Sequence, residues 1–101
     1  MKHNYRQDAD SDQAKAFLSW LESDTANALK AGHGNVDAVR SSIFLYVNRA
    51  YEAGMPDDLV GQLFGESIAR AGYTEEEQEA VIEVLESFAP IAKQVHAANS
   101  A

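Results

Sequence analysis

Cysteine is absent from the chain, which excludes disulfides, thiolate zinc sites and a cysteine nucleophile together. Long apolar runs are missing as well, and no stretch approaches the roughly 18 to 20 consecutive apolar residues of a membrane span. Positive charge is scarce: 8 lysines and arginines stand against 16 aspartates and glutamates, a net charge of −8. Nucleic-acid binders need a cationic footprint to displace counterions from phosphates, so direct binding to DNA or RNA is not expected, and neither is docking to an anionic membrane. Met1-Lys2-His3-Asn4-Tyr5-Arg6 lacks the apolar stretch of a secretory signal, which makes a cytoplasmic location the expectation.

Catalytic and metal-binding constellations are equally sparse. His3, His33 and His96 lie in different segments, and none belongs to a His-Glu-x-x-His run. Gly65-Glu66-Ser67-Ile68-Ala69 has no second glycine and no strand before it, so it is no nucleophile elbow. The expectation is a protein that is not an enzyme, with no catalytic residues, no metal and no cofactor.

What is present is enough apolar material to fold. With 46% hydrophobic residues in 101, the chain can bury one core and makes one domain. Its periodicity is helical throughout. The spacing predicts an all-α, small four-helix domain with short antiparallel connections and a Pro-kinked C-terminal helix: a flexible arm over 1–9, a single helical domain over 10–97 and a frayed tail over 98–101.

The first helix starts near Asp10 or Ser11 and buries Ala14, Leu18, Leu21, Thr25 and Ala28, with Phe17 and Leu29 widening the face. Gly32 is suited to a left-handed cap and Asn35 to capping the next helix. That second helix, from Val36, contains Ile43-Phe44-Leu45-Tyr46-Val47. Five apolar residues in a row present apolar side chains on every side, so it is expected at the centre of the fold, covered all round. Tyr46 and Tyr51 need partners for their hydroxyls and are expected at the core margin. Gly54 ends this helix, Pro56-Asp57-Asp58 restarts the chain, and the third helix runs from 57 to 71, stopping at Gly72. Thr74-Glu75-Glu76-Glu77 is a capping box that opens the fourth. Its stripe of Val81, Val84, Leu85, Phe88, Ile91, Ala92 and Val95 keeps phase past Pro90, which predicts a kink near 86–90 rather than a stop.

Three features could carry function. Between Glu75 and Glu86 there are six glutamates and no lysine or arginine; Glu75, Glu79, Glu83 and Glu86 fall on one face, opposite the apolar stripe. This is either a solvated helix face or a ridge that meets a basic groove on a partner. Gly61 and Gly65, four apart beside Phe64, each weaken the third helix by about 1 kcal/mol relative to alanine, which suggests a close backbone neighbour, within the chain or in a second copy. Trp20 and Phe17 either complete the core edge or anchor a partner. His33, flanked by glycines, reads as a solvated turn residue.

The function expected is a non-enzymatic protein-binding module, a small acidic regulator, adaptor or inhibitor of a partner protein, with a homodimer as one form. Its candidate contacts are apolar (Phe17, Trp20, Gly61, Phe64, Gly65) or electrostatic (Glu75, Glu79, Glu83, Glu86). The alternative is an acidic nucleic-acid mimic that blocks a basic groove, in the style of counter-defence proteins of phages and mobile elements.

Overall fold

The computed structural model describes residues 12–33 and 35–100, with side chains through His96. The expected arm over 1–9 and the expected helix start at Asp10 or Ser11 lie outside the described residues. Four α-helices and no strand occur among those described: α1 Asp12–Ala31, α2 Val36–Glu52, α3 Asp57–Ala71 and α4 Glu75–Ser100.

Most boundaries have the causes expected. The Asn35 side chain caps α2 by accepting from the Ala38 amide at 3.3 Å. Gly54 and Gly72, at φ 84° and 76°, turn the chain out of α2 and α3, a conformation that costs glycine little. Thr74 and Glu77 form the capping box, the Thr74 amide donating to Glu77 Oε1 at 2.9 Å and the Glu77 amide to Thr74 Oγ1 at 3.3 Å. Gly32 departs from expectation. It is not left-handed; its hydrogen side chain is required because a Cβ there would run into Val39 Cγ1, since α1 ends hard against the first turn of α2. α4 continues through Pro90 to Ser100, so its helical backbone takes in residues 98–100 of the segment expected as a tail.

Pairings between helices define the topology. Asp24 of α1 meets Arg49 of α2 while Gly32 abuts Val39, so these neighbours run antiparallel. Phe44 pairs with Phe88, and Asn48 with His96, which sets α2 and α4 parallel. Ser67 reaches Glu22 and Tyr73 reaches Leu29, and so α1 and α3 are parallel too. The main packing is α2 on α4 and α1 on α3.

The core contains Leu21, Leu29, Ile43, Val47, Phe64, Ile68 and Val81, each side chain contributing about 1.5–3 kcal/mol by leaving water. Tyr46 belongs to it rather than to its margin. Its hydroxyl donates to the Val60 carbonyl at 2.5 Å, and burial pushes its pKa far above the ordinary tyrosine value. α2, however, is not covered all round. Ile43, Tyr46 and Val47 are buried, but Phe44 and Leu45 are half-exposed, because α4, α1 and the start of α3 occupy only part of its circumference.

Candidate functional site

α4 presents two kinds of outward surface, and the helical repeat decides where each lies. Glu75, Glu79, Glu83 and Glu86 are all exposed, and none forms an ion pair among the described residues. Three cations pair with other carboxylates: Arg49 with Asp24, Arg70 with Glu22, and Lys93 with Asp57. Among the described residues, no ion pair therefore offsets the charge of the ridge. Glu77 behaves differently, because the Thr74 amide and the His33 ring, at 2.9 Å, lower its pKa to about 2.

An apolar strip lies on the opposite side of α4, toward its C-terminal end. Phe44 and Phe88 meet edge to face at 5.3 Å. Ile91 and Val95 follow Phe88 at spacings of three and seven, on the same side of α4. Phe44, Ile91 and Val95 are 45%, 55% and 48% exposed. Leu45 is comparably open on the outer side of α2. Sequence periodicity assigns Phe88, Ile91 and Val95 to the buried stripe. The structure keeps Phe88 partly buried against the core but leaves Ile91 and Val95 half-exposed, although α2 runs alongside α4 as far as the Asn48–His96 contact.

The apolar residues singled out from sequence do not form one surface. Phe17 and Phe64 are core residues, Phe64 packing on Tyr46 at 5.4 Å, so neither offers a side-chain face to a partner. Gly61 and Gly65 are exposed, and an added Cβ at either would meet nothing within 4 Å among the described residues beyond its own stretch of helix. Trp20 is half-exposed. One face of its indole carries the Arg49 guanidinium, 4.8 Å from the ring centroid, while Arg49 also holds Asp24 at 2.9 Å.

His33, expected as a solvated turn residue, instead stacks on Tyr73 at 4.7 Å and contacts the Glu77 carboxylate. Nothing in its glycine-flanked sequence signals that long-range tie. Near it, a cavity of about 180 Å³ is lined by Val36, Val39, Tyr73, Glu76, Ala80 and Val81. Its lining is mainly apolar, and the Tyr73 hydroxyl is already spent on the Leu29 carbonyl at 2.6 Å. Burial, followed by the charge of Glu77, raises that hydroxyl's pKa.

At the far end of the pair, Tyr51 donates to Asp57 at 3.0 Å and Lys93 donates to its other oxygen at 2.6 Å, joining α2, α3 and α4. The Lys93 and Tyr51 hydrogen bonds hold the Asp57 pKa below its usual value, and burial with the Asp57 bond raises Tyr51 to about 12. Among the described residues, no group of three or more histidines, aspartates or glutamates could hold a metal ion, and no helix is long and apolar enough to cross a membrane. No protein-family model matches the chain, and neither a curated protein nor a solved structure matches it.

Proposed function

We propose that this chain is a non-enzymatic protein-binding module, a small acidic regulator that works by covering a surface of its partner or bridging two. The observation that carries this reading is the apolar strip of Phe44, Phe88, Ile91 and Val95, three of whose members remain about half-exposed in a chain that buries Tyr46 and Phe64 almost completely. Clustered exposed side chains of this size are characteristic of interaction surfaces. The test is capture of partners from a lysate of the organism that encodes the chain, using the wild type and an Ile91→Asp, Val95→Asp double variant as parallel baits. A partner held by the first and lost by the second supports the strip; identical captures with both baits sink it.

The second reading, an acidic mimic that fills a nucleic-acid groove on its target, is favoured by the uncompensated charge of Glu75, Glu79, Glu83 and Glu86. It requires that capture release at modest salt and fail when Glu79 and Glu83 are reversed to lysine.

A further inference from the structure

The cavity at the start of α2 and α4 shares no lining residue with the apolar strip or the glutamate ridge. The two helices run parallel and so begin at the same end of the fold, where Val36, Val39, Tyr73, Ala80 and Val81 supply apolar walls. The Tyr73 wall is fixed in advance: its hydroxyl donates to the Leu29 carbonyl at 2.6 Å and its ring stacks on His33 at 4.7 Å, which leaves a ligand little ordering to bring about. The space, about 180 Å³, suits a single ring, since an apolar cavity of about 150 Å³ takes up benzene. Among the described residues, no buried side-chain polar atom lacks a partner. A water inside would therefore find few hydrogen bonds, and an apolar group gains by displacing it.

Charge around the cavity selects what that apolar group carries. No lysine or arginine lines the cavity, whereas Glu76 and Glu77 do. The first turns of α2 and α4 hold four carboxylates, Asp37, Glu75, Glu76 and Glu77. Asp37 pairs with Arg40 and Glu77 with His33, which leaves Glu75 and Glu76 without an ion pair among the described residues. Two helix N-termini together present about one positive charge, less than the two negative charges of those glutamates. The surroundings are net anionic, so a carboxylate or phosphate is repelled and an ammonium attracted.

We propose that this cavity binds a small primary amine, with an aromatic ring or short alkyl chain seated between Val39, Tyr73 and Val81 and the ammonium beside Glu76. The site is separate from the protein-binding strip, and neither reading depends on the other.

The probe is phenethylamine, titrated into the full isotope-labelled chain and followed by amide NMR, with phenethyl alcohol and phenylacetate as molecules of the same ring and different charge. Saturable shifts are expected at the amides of Val36, Val39, Ala80 and Val81, with a dissociation constant on the order of millimolar for a molecule this small and affinity falling from amine to alcohol to acid. Glu76→Gln, at an exposed residue, should weaken the amine about two- to fivefold and leave the alcohol unchanged. Ala80→Leu fills the space with another strong helix former, and once urea unfolding has shown a native fold it should weaken amine and alcohol alike by about tenfold or more.

An alcohol that binds the wild type as tightly as the amine overturns the amine as ligand, and a preference for phenylacetate overturns the sign of the site. Amine shifts that survive Ala80→Leu place the cation on the outer surface and overturn the cavity. No saturable shift with any of the three molecules overturns the proposal outright. None of these outcomes bears on capture of a protein through Ile91 and Val95.

Discussion

The two ends of the α2–α4 pair are built from the same kind of residues and finished differently. At the end where both helices begin, Val39 and Val81 are buried, and the chain between helices supplies Tyr73 and His33, tied to Leu29 and Glu77. Toward the other end, Phe44 and Phe88 meet, but Ile91 and Val95 stand half in water, and the ties are polar: Asn48 to His96 and Tyr51 to Asp57 to Lys93. The stripe is thus closed by Tyr73 and His33 at one end, whereas at the other the α2–α3 connection, with Ala53 and Met55 buried, leaves Ile91 and Val95 half-exposed. Cover by neighbouring segments, rather than hydrophobicity, separates structural residues from those available to a partner.

The largest expected effect comes from removing that cover. Tyr73→Ala deletes a buried ring, its hydrogen bond to Leu29 and the stack beneath His33; by analogy with aromatic truncations in cores it should cost about 3–5 kcal/mol in urea unfolding. Ile91→Ala or Val95→Ala at the open end should stay within about 0.5 kcal/mol, as exposed substitutions do. Equal losses at both ends would mean that the strip is covered in solution.

The glycines sharpen the same contrast, with opposite signs. At Gly32 an added methyl runs into Val39, a short branched side chain fixed in the core, so Gly32→Ala should destabilise by about 1–3 kcal/mol. Gly61→Ala and Gly65→Ala, with no described atom near the new methyl group, should each stabilise α3 by about 1 kcal/mol, read as a higher denaturation midpoint. A loss at Gly61 or Gly65 would indicate that another copy packs on α3.

How much of this the chain discloses depends on the range of the interaction. Helix ends are local, so Asn35, Gly54, Pro56, Gly72 and the Thr74–Glu77 box are legible from a few neighbouring residues. Four helices in this order follow from those signals and the 3.6-residue period. The register between α2 and α4 is not local: no residue near Phe44 states that Phe88 lies opposite. For that reason the expectation of an all-round-covered α2 failed at Phe44 and Leu45, and Phe64, though one turn from Gly61, turned out to face Tyr46. The glutamate ridge was visible because charge and period suffice to place it. The exposed apolar strip was not, because a stripe that fits a core looks the same in sequence whether or not a neighbour reaches it.

The smallest expected effect is a shape in the acid-stability curve. Glu77 accepts from the Thr74 amide and contacts His33, and its pKa falls from 4.5 to about 2 on folding. A carboxylate with a depressed folded pKa favours the native state above its unfolded value, so the contribution is fully present above pH 4.5 and fades as pH drops toward 2. Glu77→Gln cannot ionise and removes that part of the slope, whereas Asp57→Asn acts in its own window below 3.8, where the Lys93 and Tyr51 bonds hold its pKa down. Measured by urea unfolding at a series of pH values, the Gln variant should lose stability relative to wild type near pH 6 and converge with it toward pH 2. Parallel curves throughout would mean that the Thr74 and His33 contacts to Glu77 do not persist in solution, and that the two ends of the α2–α4 pair are less different than their geometry makes them.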